Sequence, residues 1–200
     1  MFIVIRLIIG IIVFIALTVL AGAMFSNKHK GRFLSTVISI MLLLVLCFIP
    51  VENLFYTFDS PEDAYTYFNY GREVELVVSG DESDLVIGSQ DGSYTYLIVP
   101  KTDDGWKVGL GIDTKRRAKS GSDGTFITIF QYKNTADYFV EVTVIGESVA
   151  SISDSYDSKF YTLDRQSSLS KSVVTYYAYM PNFDSQYSVE VNGTAFSFDN

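Results

Sequence analysis

The chain has one cysteine and one histidine in 200 residues, four prolines, and no Asp or Glu before Glu52. Each scarcity excludes something. A single cysteine makes no internal disulfide, so no cystine framework holds this fold together. That cysteine, Cys47, stands among Leu, Val and Phe and reads as a small buried apolar residue. The histidine, His29, stands in the cationic stretch 26–32. The chain after residue 52 is therefore without either. Ser-His-Asp and Cys-His nucleophiles, histidine proton transfer and His- or Cys-ligated zinc are excluded there.

The missing acids divide the chain in two. Residues 1–51 carry Arg6, Lys28, Lys30 and Arg32 as their only fixed charges, while the other 11 of the 15 Lys and Arg stand with all 23 acids after residue 51, a net charge of −12. The first part holds two charge-free runs of nineteen residues, Leu7–Phe25 and Phe33–Val51. As helices each spans about 28 Å, close to the bilayer core. The spacing predicts a two-helix transmembrane hairpin over 1–52. Three of the four cations lie in its connecting loop, 26–32. The positive-inside rule then puts that loop in the cytoplasm and both termini outside, in a multi-pass protein of the cell membrane, with the lipid bilayer as a partner. Ala21-Gly22-Ala23 also has the form of a signal-peptide cleavage site, with residues 1–23 removed; the long apolar run and the absence of a basic start favour the hairpin. Thr18 and Gly22 before the loop, and Ser35 and Ser39 after it, are small residues spaced by four at matching depth, the candidates for close helix packing. Arg6 is expected to snorkel to the outer interface, beside an aromatic belt of Phe55, Tyr56 and Phe58.

The rest reads as a mainly β, extracytoplasmic region. Ser60-Pro61-Glu62-Asp63 supplies an N-cap, a first-turn proline and acids for a short helix. About four antiparallel strands follow, with turns at Gly80–Ser83, Asp91-Gly92 and Asp103–Gly105 and a last strand over Trp106–Ile112. Together these form a small α+β subdomain, 53–113. Residues 114–124 have no apolar period and read as a basic connector. Residues 125–200 resemble an Ig-like β-sandwich segment in strand spacing. Their clearest local signal is Asn192-Gly193, a two-residue type I′ turn that sets Val189 opposite Phe196 and Tyr187 opposite Phe198. The same turn accounts for the Asn192-Gly193-Thr194 sequon.

Ser168-Leu169-Ser170-Lys171 matches S-x-x-K, but neither S-D-N nor K-T-G accompanies it. The acidic runs Asp81–Asp84, Asp103-Asp104, Asp91 and Asp154–Asp157 lack EF-hand spacing and coincide with turns. No cofactor, metal site or catalytic residue is expected. All fourteen tyrosines follow Val51, where strand packing accounts for them. Lys115, Arg116, Arg117 and Lys119 are the candidate interaction residues, a basic cluster on an acidic region suited to a membrane protein partner or an anionic cell-envelope polymer; no nucleic acid is expected. The sequence thus implies a membrane-anchored bacterial binding module without catalysis. The alternative is a regulator or immunity-type protein acting through its transmembrane hairpin, with the outer domain as sensor.

Overall fold

The two charge-free runs become helices, but not with the expected limits. The computed structural model describes residues 2–24, 28–48, 51–109, 114–122, 124–146, 148–165 and 172–198, and the chain separates into two units, Met1–Tyr56 and Thr57–Asn200. In the first unit α1 (Phe2–Met24) and α2 (Lys28–Phe48) pack on each other, and a 3-10 turn, Val51–Leu54, follows. Lys28, Lys30 and Arg32 were expected in a loop; α2 instead starts at Lys28 and takes all three into its first turns. Its described residues run to Phe48, and the charge-free part among them, 33–48, is about 24 Å long. The charge-free part of α1, 7–24, is about 27 Å long. Both are short of a hydrocarbon core of about 30 Å. Among the described residues no helix is long and apolar enough to cross a membrane. The transmembrane hairpin is therefore corrected to a pair of packed helices. The cytoplasmic loop 26–32, the multi-pass membrane localisation and the extracytoplasmic placement of the remainder fall with it.

In the second unit the local signals at residue 60 operate as physical chemistry requires. The Ser60 hydroxyl accepts the Asp63 N–H at 3.1 Å, and Pro61 opens α3 (Pro61–Phe68). Four antiparallel strands follow in sequential order: β1 (Glu73–Ser79), β2 (Ser83–Gln90), β3 (Ser93–Thr102) and β4 (Gly105–Trp106). The last of these is two residues long, where a strand to Ile112 was expected; residues 110–112 lie outside the described residues. The helix lies on this sheet through Tyr65, whose ring occupies the space that a side chain at Gly88 would fill, 2.6 Å from a Cβ built there.

Residues 114–124, expected as a connector, supply the strand β5 (Thr114–Ser122), which pairs with β6 (Thr125–Tyr132). The chain continues through β7 (Tyr138–Ile145), β8 (Ile152–Asp154), β9 (Tyr161–Arg165), β10 (Val173–Met180), β11 (Ser188–Val191) and β12 (Thr194–Ser197). These assemble into a five-stranded sheet, β5-β6-β7-β10-β9, and a three-stranded sheet, β12-β11-β8, with every pairing antiparallel. Asn192 and Gly193 take positive φ, 51° and 79°, and Val189 pairs with Phe196. The Tyr187 and Phe198 rings stack at 5.7 Å.

Strand alternation then dictates the layers. Ile127, Ile129, Val140 and Val142 pack with Val189 and Phe196 of the three-stranded sheet. From the other face Tyr132, Phe139 and Tyr177 pack with Leu85, Ile87 and Ile98 of the four-stranded sheet. That sheet's far face takes Ala64 and Tyr65 of α3 against Val86 and Val99. The five-stranded sheet is thus a middle layer with apolar contacts on both faces, an arrangement more usual for parallel sheets. A two-layer Ig-like sandwich over 125–200 is corrected to this helix-and-three-sheet stack, because the four-stranded sheet covers the face that an isolated sandwich would leave to water. Polar groups do occur within the middle layer: the Thr143 and Thr175 hydroxyls meet at 3.3 Å, and the Tyr177 hydroxyl donates to Glu141 at 2.9 Å.

Candidate functional site

The four basic residues of β5 do not form one patch. The register shift between Arg116 and Ala118 marks a bulge, in which the extra residue, Arg117, is set apart from its neighbours. Its Nε donates to Oε1 of buried Gln131, whose own amide donates to the Thr135 carbonyl at 2.6 Å and to the Tyr138 hydroxyl at 2.9 Å. Lys115 donates to Asn134 at 2.8 Å. Arg116 and Lys119 are different. They pair with Phe130 and Thr128, on the face turned toward the four-stranded sheet, and both are exposed. Among the described residues neither side chain makes a hydrogen bond or an ion pair.

Along that face two clefts adjoin β5. The first, about 410 Å³, is lined by Tyr96, Leu97, Thr114, Arg116 and Phe130. The second, about 360 Å³, is lined by Lys119, Ser120, Gly121 and Phe126. Their aromatic walls follow from alternation: Phe126, Thr128 and Phe130 share one face of β6, and Tyr96 of β3 packs on Phe130 with ring centroids 5.0 Å apart. Phe126 and Tyr96 are 46% and 41% exposed, high for large apolar-faced side chains in strands. Burial raises the Tyr96 phenol above its ordinary value, Glu141 adds to the rise, and Arg116 opposes it. The phenol is therefore neutral at neutral pH and serves as a face and a hydrogen-bonding group, not as a base.

The strongest polar cluster elsewhere is structural. Asp137, on the β6–β7 turn, is wholly buried and accepts from the N–H groups of Asp81 (3.2 Å) and Glu82 (2.9 Å), the Ser83 hydroxyl (2.7 Å) and the Tyr179 hydroxyl (3.1 Å). One carboxylate thus satisfies the β1–β2 turn of one sheet and a strand of the next. Beside it buried Asp84 pairs with Lys101 at 2.9 Å and accepts from the Trp106 indole; Lys101 also donates to the Gly80 carbonyl at 2.6 Å. Asp154 accepts the N–H groups of Tyr156 and Ser158 and the Tyr187 hydroxyl, closing the turn after β8. Asp91 and Asp157 occupy turns at positive φ. Among the described residues no three His, Cys, Asp or Glu side chains are grouped so as to hold a metal ion. The S-x-x-K tetrad, 168–171, lies outside the described residues.

In the helical unit Ser35 and Ser39 are buried, both 3% exposed, and Thr18 is half-buried. The Thr18 hydroxyl donates to the Phe14 carbonyl at 2.8 Å and that of Ser35 to Arg32 at 2.9 Å, each within its own helix. Gly22 lies within α1. Among the described residues of the two helices, Gly10, Ala21 and Gly31 are inward as well.

Sequence reasoning named two of the groove's residues, Arg116 and Lys119, and missed Tyr96, Thr114, Phe126 and Phe130. The available signal was the Phe126-x-Thr128-x-Phe130 alternation beside a strand of cations, but its reading depended on recognising 114–122 as a strand. The Asp137 carboxylate carried no such signal, since its partners are more than forty residues away in sequence. No protein family, curated protein or solved structure matches this chain.

Proposed function

We propose that residues 57–200 act as a non-catalytic binding module whose contact surface is the cationic and aromatic groove along β5 and β6. The observation that carries this reading is the conjunction of Arg116 and Lys119 with the exposed Phe126 ring on one face of the five-stranded sheet, opposite the exposed Tyr96 ring of β3. Cations steer an anionic partner, and flat rings contribute contact area at little conformational cost. Isolated charges on an acidic surface do neither. Binding rather than turnover is favoured by the chemistry of the lining: the groove has no histidine or cysteine, and its tyrosine holds its proton.

The reading also limits the partner's charge. A unit of net −11 repels a long, uniformly charged polyanion such as duplex DNA, while a short anionic segment meets only the local field, which falls off over about 8 to 10 Å at moderate salt. The test compares the full chain with the double variant Arg116→Glu/Lys119→Glu. Three labelled probes are titrated at low and high salt: a glutamate-rich peptide, an oligogalacturonate and an oligonucleotide duplex. At least one of the first two is expected to bind the native chain, about tenfold or more tighter than the double variant, with affinity falling as salt rises. Indifference of both probes to the double variant, with its melting temperature unchanged, would remove the groove as a binding surface.

A further inference from the structure

The five-stranded sheet ends on β5, and among the described residues no backbone group of that strand bonds to anything but β6. Its outward N–H and C=O groups form an open row about nine residues long, the template that an incoming strand requires. Such edges ordinarily invite self-association. Here the invitation is selective, because Lys115, Arg116, Arg117 and Lys119 all lie on it and two copies of β5 brought edge to edge would set cation against cation. The bulge at Arg117 adds local twist to the same effect.

We propose that β5 receives an acidic polypeptide segment by strand addition, with carboxylates at alternate positions lying beside Arg116 and Lys119. This deepens the groove reading and rests on it. The spacing is the main support. Arg116 and Lys119 pair with Phe130 and Thr128, two residues apart on β6, so they stand about 7 Å apart along the strand direction. An extended chain repeats its same-face side chains at that interval, so a Glu-x-Glu segment meets both cations at once while its backbone bonds to the open edge. Two residues further along the same face, Phe126 pairs with Gly121, where no side chain on β5 covers the ring. An apolar residue next in the alternating series would rest there. An anionic glycan satisfies the cations and the rings but leaves the backbone row unused, which is why the polypeptide is favoured.

The test uses the full chain and fluorescence anisotropy. The probe is a labelled ten-residue peptide alternating Glu with Val and Thr; its isomer carries the same residues with the Glu side chains in one block. A third peptide has the backbone N–H groups of one parity methylated, and a fourth those of the other. The alternating peptide is expected to bind about tenfold or more tighter than the blocked isomer. One methylation parity should abolish binding and the other leave most of it, because only one set of N–H groups faces β5. Equal binding of the two isomers, or equal effects of the two parities, overturns strand addition. Binding of oligogalacturonate without the peptide overturns it too, while leaving the groove as a binding surface. If neither probe distinguishes the native chain from Arg116→Glu/Lys119→Glu, the groove reading fails along with it.

Discussion

Among the described residues of α1 and α2 those turned inward are Gly10, Ala21, Gly31, Ser35 and Ser39, while Val19 and Phe33 are 69% and 72% exposed and Ile12 and Met41 are exposed as well. In the β unit the order is reversed: Ile127, Ile129, Phe139, Val140 and Val142 have no exposed surface. The two units therefore cohere for different reasons. Small inward residues allow two helix backbones to approach closely, with dispersion contacts between them. The β unit is held by removal of large apolar side chains from water, worth roughly 1.5–3 kcal/mol for each such side chain fully buried. The units differ in apolar content, and they differ further in where that content points.

The largest expected effect tests this contrast directly. Phe139→Ala removes a ring from the middle of the stack and is expected to cost about 3–5 kcal/mol, whereas Ile12→Ala on the outer face of α1 should cost less than about 0.5 kcal/mol. Urea titration of the full chain, followed by tyrosine fluorescence for the β unit and by far-ultraviolet dichroism for the helices, measures both. Comparable losses would break the comparison.

A smaller effect sharpens it. Because the buried Asp137 carboxylate ties two sheets of the β unit together, Asp137→Asn should lower stability by about 1.5–3 kcal/mol, the worth of hydrogen bonds to a charged group. The midpoint of β-unit unfolding should fall while helicity is unchanged. A midpoint within error of the native value would show that the carboxylate is dispensable.

The smallest effect concerns pH. Burial first, and then Asp137, raises the Tyr179 phenol above its ordinary 10.0; burial and Asp154 do the same to Tyr187. The unfolded chain begins to lose these protons near pH 10 while the folded chain keeps them, so above that pH the unfolded state binds fewer protons. The stability contributed is full below pH 10 and is lost as pH rises toward the folded values. Urea midpoints of the β unit should therefore fall above pH 10, and the fall should be shallower in Tyr187→Phe. A flat midpoint through that range would contradict the assignment.

What the sequence made legible was local. Ser60-Pro61 marked a helix start and Asn192-Gly193 a hairpin because each acts through bonds within a few residues. The strand β5 was illegible: Thr114–Ser122 lies at a sheet edge, wet on its outer side and bulged at Arg117, so no apolar alternation marks it. The limits of α2 were misread for a related reason. An uncharged run shows where charge is absent, whereas a helix continues as long as its backbone bonds continue, and Lys28 and Lys30 are good helix formers. The layer order depended on packing between segments distant in sequence. Neither the placing of β10 between β7 and β9 nor the approach of Asp137 to Ser83 leaves a periodic trace.

A sheet apolar on both faces has an addressing problem. A half-wet strand that slides by one residue is penalised at once, because its apolar side chains turn to water; β7 and β10, covered above and below, receive little such penalty. Their correct alignment is instead written in a few half-buried and buried polar side chains that pair across them. Thr143 opposite Thr175 and Glu141 opposite Tyr177 find each other in one register, and any slide separates both pairs. These residues contribute less to the depth of the folded state than to its uniqueness.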